Sequence, residues 1–295
     1  MSWHDSIVEG AGATLAVRDY GGSGKPAILV HGGPGQNLAT WDDFAPRLAP
    51  SIRAIALDMR GNGASSDSDD YSWPALVSDI QSVIAHFGLS RPLILGHSWG
   101  GQLATYYASQ YADAAGVIAI EGWITDVCTE LSDDIWEWVR ESYANEPFMK
   151  FAGTESQLTP ILAQIAQTNG ADAAAVTRRQ LVEGDDGLFR WKRSVDQIVH
   201  IQRTVDEEGK ILNTKLYAST ACPVLLVGGE RSEAEVQAAR EGKLGPWAFS
   251  RTATEPIVAA YANVHLVWLP CGHDIPHELP EQLADIIKRF AASTD

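Results

Sequence analysis

Apolar and polar positions along the chain fall into two recurring patterns. Eight short runs rich in Val, Ile, Leu and Ala, "DSIVEG", "TLAVRDY", "AILVHGG", "IRAIALD", "PLILGHS", "GVIAIEG", "PVLLVGG" and "VHLVWLP", end at Gly, Pro or Asp and predict strands. Between the later runs the spacing lengthens to three and four residues. "WPALVSDIQSVIAHFG", "GGQLATYYASQYA" and "PEQLADIIKRFAAS" therefore read as amphipathic helices, the first stopping at Gly88. Strands that are apolar on both faces and alternate with helices predict an α/β fold, a mostly parallel eight-stranded sheet flanked by helices.

The alternation breaks after Trp123. From residue 124 to 220 only helical patterns appear, such as "LSDDIWEWVRES", in which Leu131, Ile135, Trp138 and Val139 share a face. The expected organisation is a core of residues 1–123 and 221–295 interrupted by a helical lid over 124–220. Aromatic residues crowd the insertion, and Trp123 and Trp138, with Gly32 from the core, are expected to line a substrate pocket.

Charge narrows the partners. With 38 acidic against 22 basic residues the net charge is -16, which opposes phosphate backbones and anionic lipids. Nucleic acid and membrane are not expected partners; a small-molecule substrate is. No apolar run approaches the length of a bilayer span, and "MSWHDSIVEG" has no basic start followed by a long apolar segment, so a cytoplasmic location is expected. Cys128, Cys222 and Cys271 stand far apart, which suggests neither a disulfide framework nor a zinc motif.

The chemistry concentrates in "LILGHSWGGQLA". A predicted strand runs into Gly96, His97, Ser98, Trp99, Gly100 and Gly101, and a helix follows. Small residues two positions either side of Ser98 let the chain reverse tightly and lift the hydroxyl to the carboxyl edge of the sheet. Capping of the following helix would also suit a serine, but the strand and helix around this one fit an exposed nucleophile. Such a hydroxyl needs a neutral imidazole to take its proton, and His273, just after the last strand, is the best placed of the eight histidines. His277 is expected to face the start of the last helix, and "HDIPHE" lacks the further ligands a metal would require.

"HGGPG" at His31 to Gly35, "GHSWGG" and "CGHDIPHELPEQLADIIKRF" together resemble the α/β-hydrolase superfamily over essentially the whole chain, and with "DMRGNGASS" between the first two they look most like its prolyl-aminopeptidase-like branch. The resemblance implies a Ser–acid–His order and no cofactor or metal. It implies Glu233 as the acid, four residues after the strand-ending Gly229, with Glu121 at the end of "GVIAIEG" as the alternative. The Gly33 and Trp99 N–H groups are the expected oxyanion donors; His31 is expected to be structural, and Asp58 with Arg60 to hold the "DMRGNG" turn. Serine at position 98 argues against the dehalogenase and epoxide hydrolase branches, which use a carboxylate nucleophile. The expected activity is an esterase or lactonase acting through an acyl-enzyme. A prolyl-type aminopeptidase is the alternative, followed by a cofactor-free dioxygenase of a heteroaromatic ring or a ligand receptor with little turnover.

Overall fold

The computed structural model describes residues 3–33, 35–125, 133–145, 147–209, 212–230 and 251–294. All eight predicted strands form: β1 (His4–Glu9), β2 (Thr14–Asp19), β3 (Lys25–Val30), β4 (Ile52–Leu57), β5 (Leu93–His97), β6 (Gly116–Ile120), β10 (Val224–Gly229) and β11 (Val264–Leu269). They join one sheet in the order β1-β2-β4-β3-β5-β6-β10-β11. The β1–β2 and β2–β4 pairs are antiparallel and every other pair is parallel.

Alternation along each central strand decides which layer a side chain joins. Ile28, Val30, Ile94, Val117 and Leu226 pack with α1 (Trp73–His86) and α2 (Trp99–Gln110), whose Leu76, Val77, Ile80, Leu103 and Tyr107 are buried. Ala27, Leu29, Leu95, Ile118 and Val227 face the other way, onto Leu283, Ile287 and Phe290 of the final helix Pro280–Ser293 and onto Trp41 and Phe44. Ser72 starts α1 by accepting the Ala75 N–H, with Pro74 in the first turn where its missing N–H costs nothing.

The loop after β4 is built around two buried carboxylates. Asp58 accepts the N–H groups of Leu38 at 2.7 Å and Ala64 at 2.8 Å. Gly63 passes so close that a Cβ there would stand 2.2 Å from the Asp58 carboxylate. Arg60 does not pair with Asp58. Its Nε and Nη2 donate to Asp79 at 2.9 and 2.8 Å, with both side chains essentially inaccessible, and its other N–H groups reach the carbonyls of Asp70 and Ala11. Asp79→Ala would strand that guanidinium in the core, and a loss of about 3–5 kcal/mol is expected in urea unfolding, whereas a loss under about 1 kcal/mol would show that water reaches the arginine.

Segment 124–220 holds α3 (Asp133–Asn145), α4 (Glu155–Asn169), α5 (Ala171–Arg179), α6 (Val195–Gly209) and α7 (Leu216–Ser219). It also holds strands that no sequence period revealed: β7 (Ala152–Gly153), β8 (Leu181–Glu183) and β9 (Phe189–Trp191) form an antiparallel sheet in the order β7-β9-β8. Strands of two and three residues are too short to display alternation. The face expected for α3 is also corrected. Trp136 turns inward, with Arg203 over its ring, while Trp138 is 59% exposed. Tryptophans two apart on a helix cannot share a face, and the few apolar anchors in this polar helix did not settle which one packs.

Cations fasten the insertion to the core loops. Arg179 pairs with Asp58 at 2.5 Å, Arg193 with Asp67 at 2.7 Å, and the Lys192 ammonium donates to the carbonyls of Gly63 and Ser65. Asn37 donates to the Val176 carbonyl. Among the described residues no helix is long and apolar enough to cross a membrane.

Candidate active site

Four parallel strands, β5-β6-β10-β11, bring their carboxyl ends side by side, and each end delivers one part of the site. Ser98 follows β5 with φ 55 and ψ -128, a conformation that side chains other than glycine avoid. Its N–H donates to the Ile120 carbonyl at 2.7 Å, which locks the turn onto β6. Close backbone approach explains the glycines: a Cβ at Gly96 would lie 2.0 Å from the Gly100 carbonyl oxygen, and one at Gly100 would lie 2.4 Å from that of His31. The sequence reading missed a third. A Cβ at Gly122 would stand 1.7 Å from the Ser98 carbonyl oxygen, and the "EGW" following β6 was the available signal.

Glu121, at the end of β6, also has positive φ, at 47. Its side chain is wholly buried, and its N–H donates to Val227 while Oε1 accepts the Gly229 N–H at 2.5 Å. Held this way, Oε2 lies 3.2 Å from His273 Nδ1. The His273 imidazole is partly open to solvent. Glu233, the acid favoured from sequence, lies outside the described residues.

The turn after β3 closes the opposite side. A Cβ at Gly32 would be in ordinary contact with Ser98, 3.6 Å from its Cβ, whereas a Cβ at Gly33 would meet open space. Trp99 opens α2, where the first N–H groups of a helix have no intrahelical partner and the dipole favours negative charge. His31 is fully buried; it shares a 2.7 Å contact from Nδ1 to the Gly32 carbonyl and accepts the Met59 N–H at Nε2. It therefore braces the Gly-rich turn against the loop after β4.

His277 departs from expectation. Its Nε2 is 2.6 Å from Asp172 Oδ2 at the start of α5, so it faces the insertion and not the final helix. Of the residues expected to line a pocket, Trp123 is fully enclosed and meets Trp268 edge-on at 6.0 Å, and Trp138 lies on the exposed side of α3. Free Cys222 is buried and Cys271 half-buried; Cys128 lies outside the described residues.

Burial pushes the imidazoles of His31 and His97 below their usual range; for His97 the nearby His273 adds to the fall, which reaches about 4. Both stay neutral in the folded chain, while an unfolded histidine takes a proton near pH ~6.5. The contribution of His97 to stability is thus complete above about pH 6.5 and is lost as pH falls toward about 4. A His97→Gln protein has one fewer proton to exclude. It is expected to lose less stability than wild type between about pH 7 and about pH 5; equal losses in parallel urea titrations would mean that His97 protonates within the fold.

The sequence and the fold both have relatives among known proteins. The family described as "Alpha/beta hydrolase family" matches residues 27–286. A soluble epoxide hydrolase from Corynebacterium sp. (strain C12) is 34% identical over a stretch covering 31% of this chain and 32% of that protein. A proline iminopeptidase from Pestalotiopsis fici is 36% identical over 39% of this chain and 43% of that protein. The chain thus aligns with only about a third to two-fifths of the length of these curated relatives. Its fold is similar to that of E-2-(acetamidomethylene)succinate hydrolase, with a TM-score of 0.74, 21% identity and coverage of 99% of this chain and 100% of that one. With the family matched from β3 into the final helix, the chain belongs to the alpha/beta hydrolase family.

Proposed function

We propose that this chain is a serine hydrolase that cleaves a small carboxylic ester or lactone through an acyl-enzyme, with Ser98 as nucleophile, His273 as base and Glu121 as acid. The observation that carries this reading is the 3.2 Å approach of the buried Glu121 carboxylate to His273 Nδ1. A carboxylate there holds the proton on Nδ1 and leaves Nε2 as the lone pair that a serine hydroxyl requires. Ser98 Oγ attacks the carbonyl carbon, and His273 Nε2 takes the hydroxyl proton. The developing oxyanion is met by the N–H groups of Gly33 and Trp99, and the imidazolium returns its proton to the leaving oxygen. Water, deprotonated by the same imidazole, then releases the acyl group. No cofactor enters any step.

The insertion serves as a lid in this reading. Support comes from its ties to loops bordering the site, Arg179 to Asp58 and Asp172 to His277. Trp123, expected to line the pocket, is instead enclosed in the core, whereas partly buried Trp99, next to Ser98, offers aromatic surface that suits an apolar acyl or alkoxy group.

A prolyl-type aminopeptidase is the second reading, favoured by the proline iminopeptidase relative. It would need a free carboxylate for the substrate's ammonium group, and among the described residues Asp172, which meets the loop after His273, is already engaged with His277. A panel of nitrophenyl esters, lactones and proline nitroanilide separates the two. Turnover of esters or lactones with none of the anilide is expected; anilide cleavage alone would replace the esterase reading with the peptidase one, and no turnover of any of them would remove both.

A further inference from the structure

We propose that His97 is a positioning residue for His273: its Nε2–H, donated to the His273 backbone carbonyl, holds the loop that carries the base against the strand that carries the nucleophile. This deepens the hydrolase reading above and rests on it. The two atoms are 2.9 Å apart although the residues are 176 positions apart in the chain. The His97 and His273 rings lie 4.9 Å apart, and His97 is the last residue of β5, directly before Ser98. Its Nδ1 lies near the Gly32 turn, where a Cβ on Gly32 would come 3.8 Å from it. One buried imidazole therefore sits beside Ser98 in the chain, meets the loop that carries His273 and lies near the Gly32 turn.

The bond also fixes the chemical form of His97. A carbonyl oxygen only accepts, so Nε2 must carry the hydrogen and Nδ1 keeps its lone pair. The titratable groups acting on the ring are His273, Asp274 and Glu121, and burial outweighs the two acids in keeping it neutral. Neutrality matters to the mechanism. A second cation 4.9 Å from His273 would oppose the imidazolium that forms when Ser98 gives up its proton.

His273 is then held at two points of one residue, its carbonyl by His97 and its Nδ1 by Glu121, while the neighbouring Gly272 N–H is held by Glu278 at 3.0 Å. With both ends fixed, the remaining ring nitrogen has one direction in which to point. A residue that only filled space at position 97 would need no donor at Nε2.

Two substitutions separate positioning from packing. His97→Leu keeps bulk and removes the donor, whereas His97→Gln offers an amide N–H at a similar reach. With a chromogenic ester, His97→Leu is expected to lower kcat by about 100-fold with little change in KM, the scale of loss when a reacting group drifts by about 1 Å. His97→Gln should recover most of that loss, and the rate of fluorophosphonate labelling should follow the same order. Wild-type speed in His97→Leu, or a glutamine variant no better than leucine, overturns the proposal. Should His97→Leu fail to fold, nitrogen-15 histidine NMR of the wild type decides. A neutral Nε2–H tautomer that does not titrate through neutral pH is expected, and an Nδ1–H tautomer or a titrating ring contradicts it. A wild type that turns over no ester and takes no fluorophosphonate would instead defeat the hydrolase reading, while the NMR result would still report on the His97 bond.

Discussion

Ser98→Ala is expected to reduce ester hydrolysis by about a millionfold in kcat while leaving the fold and substrate affinity in place. Removing the hydroxyl deletes the bond-forming atom, and what survives is the rate enhancement that oxyanion donors and binding alone provide. The fold should not object. Alanine carries the same Cβ as serine into the φ 55 conformation, and the hydrogen bonds that lock the turn, Ser98 N–H to Ile120 and Gly101 N–H to Ser98, use only the backbone. Steady-state rates with circular dichroism as the folding check suffice. Retention of a tenth of wild-type activity would place the nucleophile elsewhere.

Glu121→Gln should lower kcat by about ten-thousandfold, the second largest effect expected. The amide is nearly the same size and can still accept the Gly229 N–H through its oxygen. Its NH2 group then faces His273 Nδ1, where a carboxylate stood at 3.2 Å. An NH2 donor there forces Nδ1 to become the acceptor and moves the imidazole hydrogen to Nε2, so the ring can no longer take the serine proton. The negative charge that would stabilise the imidazolium is lost as well. Glu233→Gln is expected to cost less than about tenfold, because the Glu121 carboxylate already meets His273 Nδ1. Single-turnover rates of the two variants compare the glutamates directly; the large loss in Glu233→Gln alone would move the acid to the later strand.

The sheet was legible because burial on both faces writes itself into the sequence as unbroken apolar runs, and "AILV", "LILG" and "GVIAI" each proved to be a central strand. The turn that carries Ser98 was legible for a related reason, since a strand, a tight turn and a helix are local and the glycines that permit the turn sit within two residues of it. The acid was not. "GVIAIEG" and "PVLLVGGERSE" both place a glutamate just after an apolar run, and no local pattern says which one reaches the imidazole. What aims Glu121 is its positive φ and the Gly229 N–H contributed by the neighbouring strand, both products of the assembled sheet. His97 escaped attention on the same ground, because its partner is a carbonyl on a distant loop. In the insertion, Trp136 and Trp138 alternate on a mostly polar helix, and β7 to β9 are too brief to announce themselves.

Trapping the covalent intermediate tests the central claim most directly. The wild-type protein, mixed with excess nitrophenyl ester and quenched in acid during the first turnover, is analysed by intact mass and then by peptide mapping. The account predicts a mass increase equal to one acyl group, located on the peptide that carries Ser98 and absent from Ser98→Ala. Turnover without a covalent adduct at any quench time, or an acyl group mapped to another residue, would contradict it.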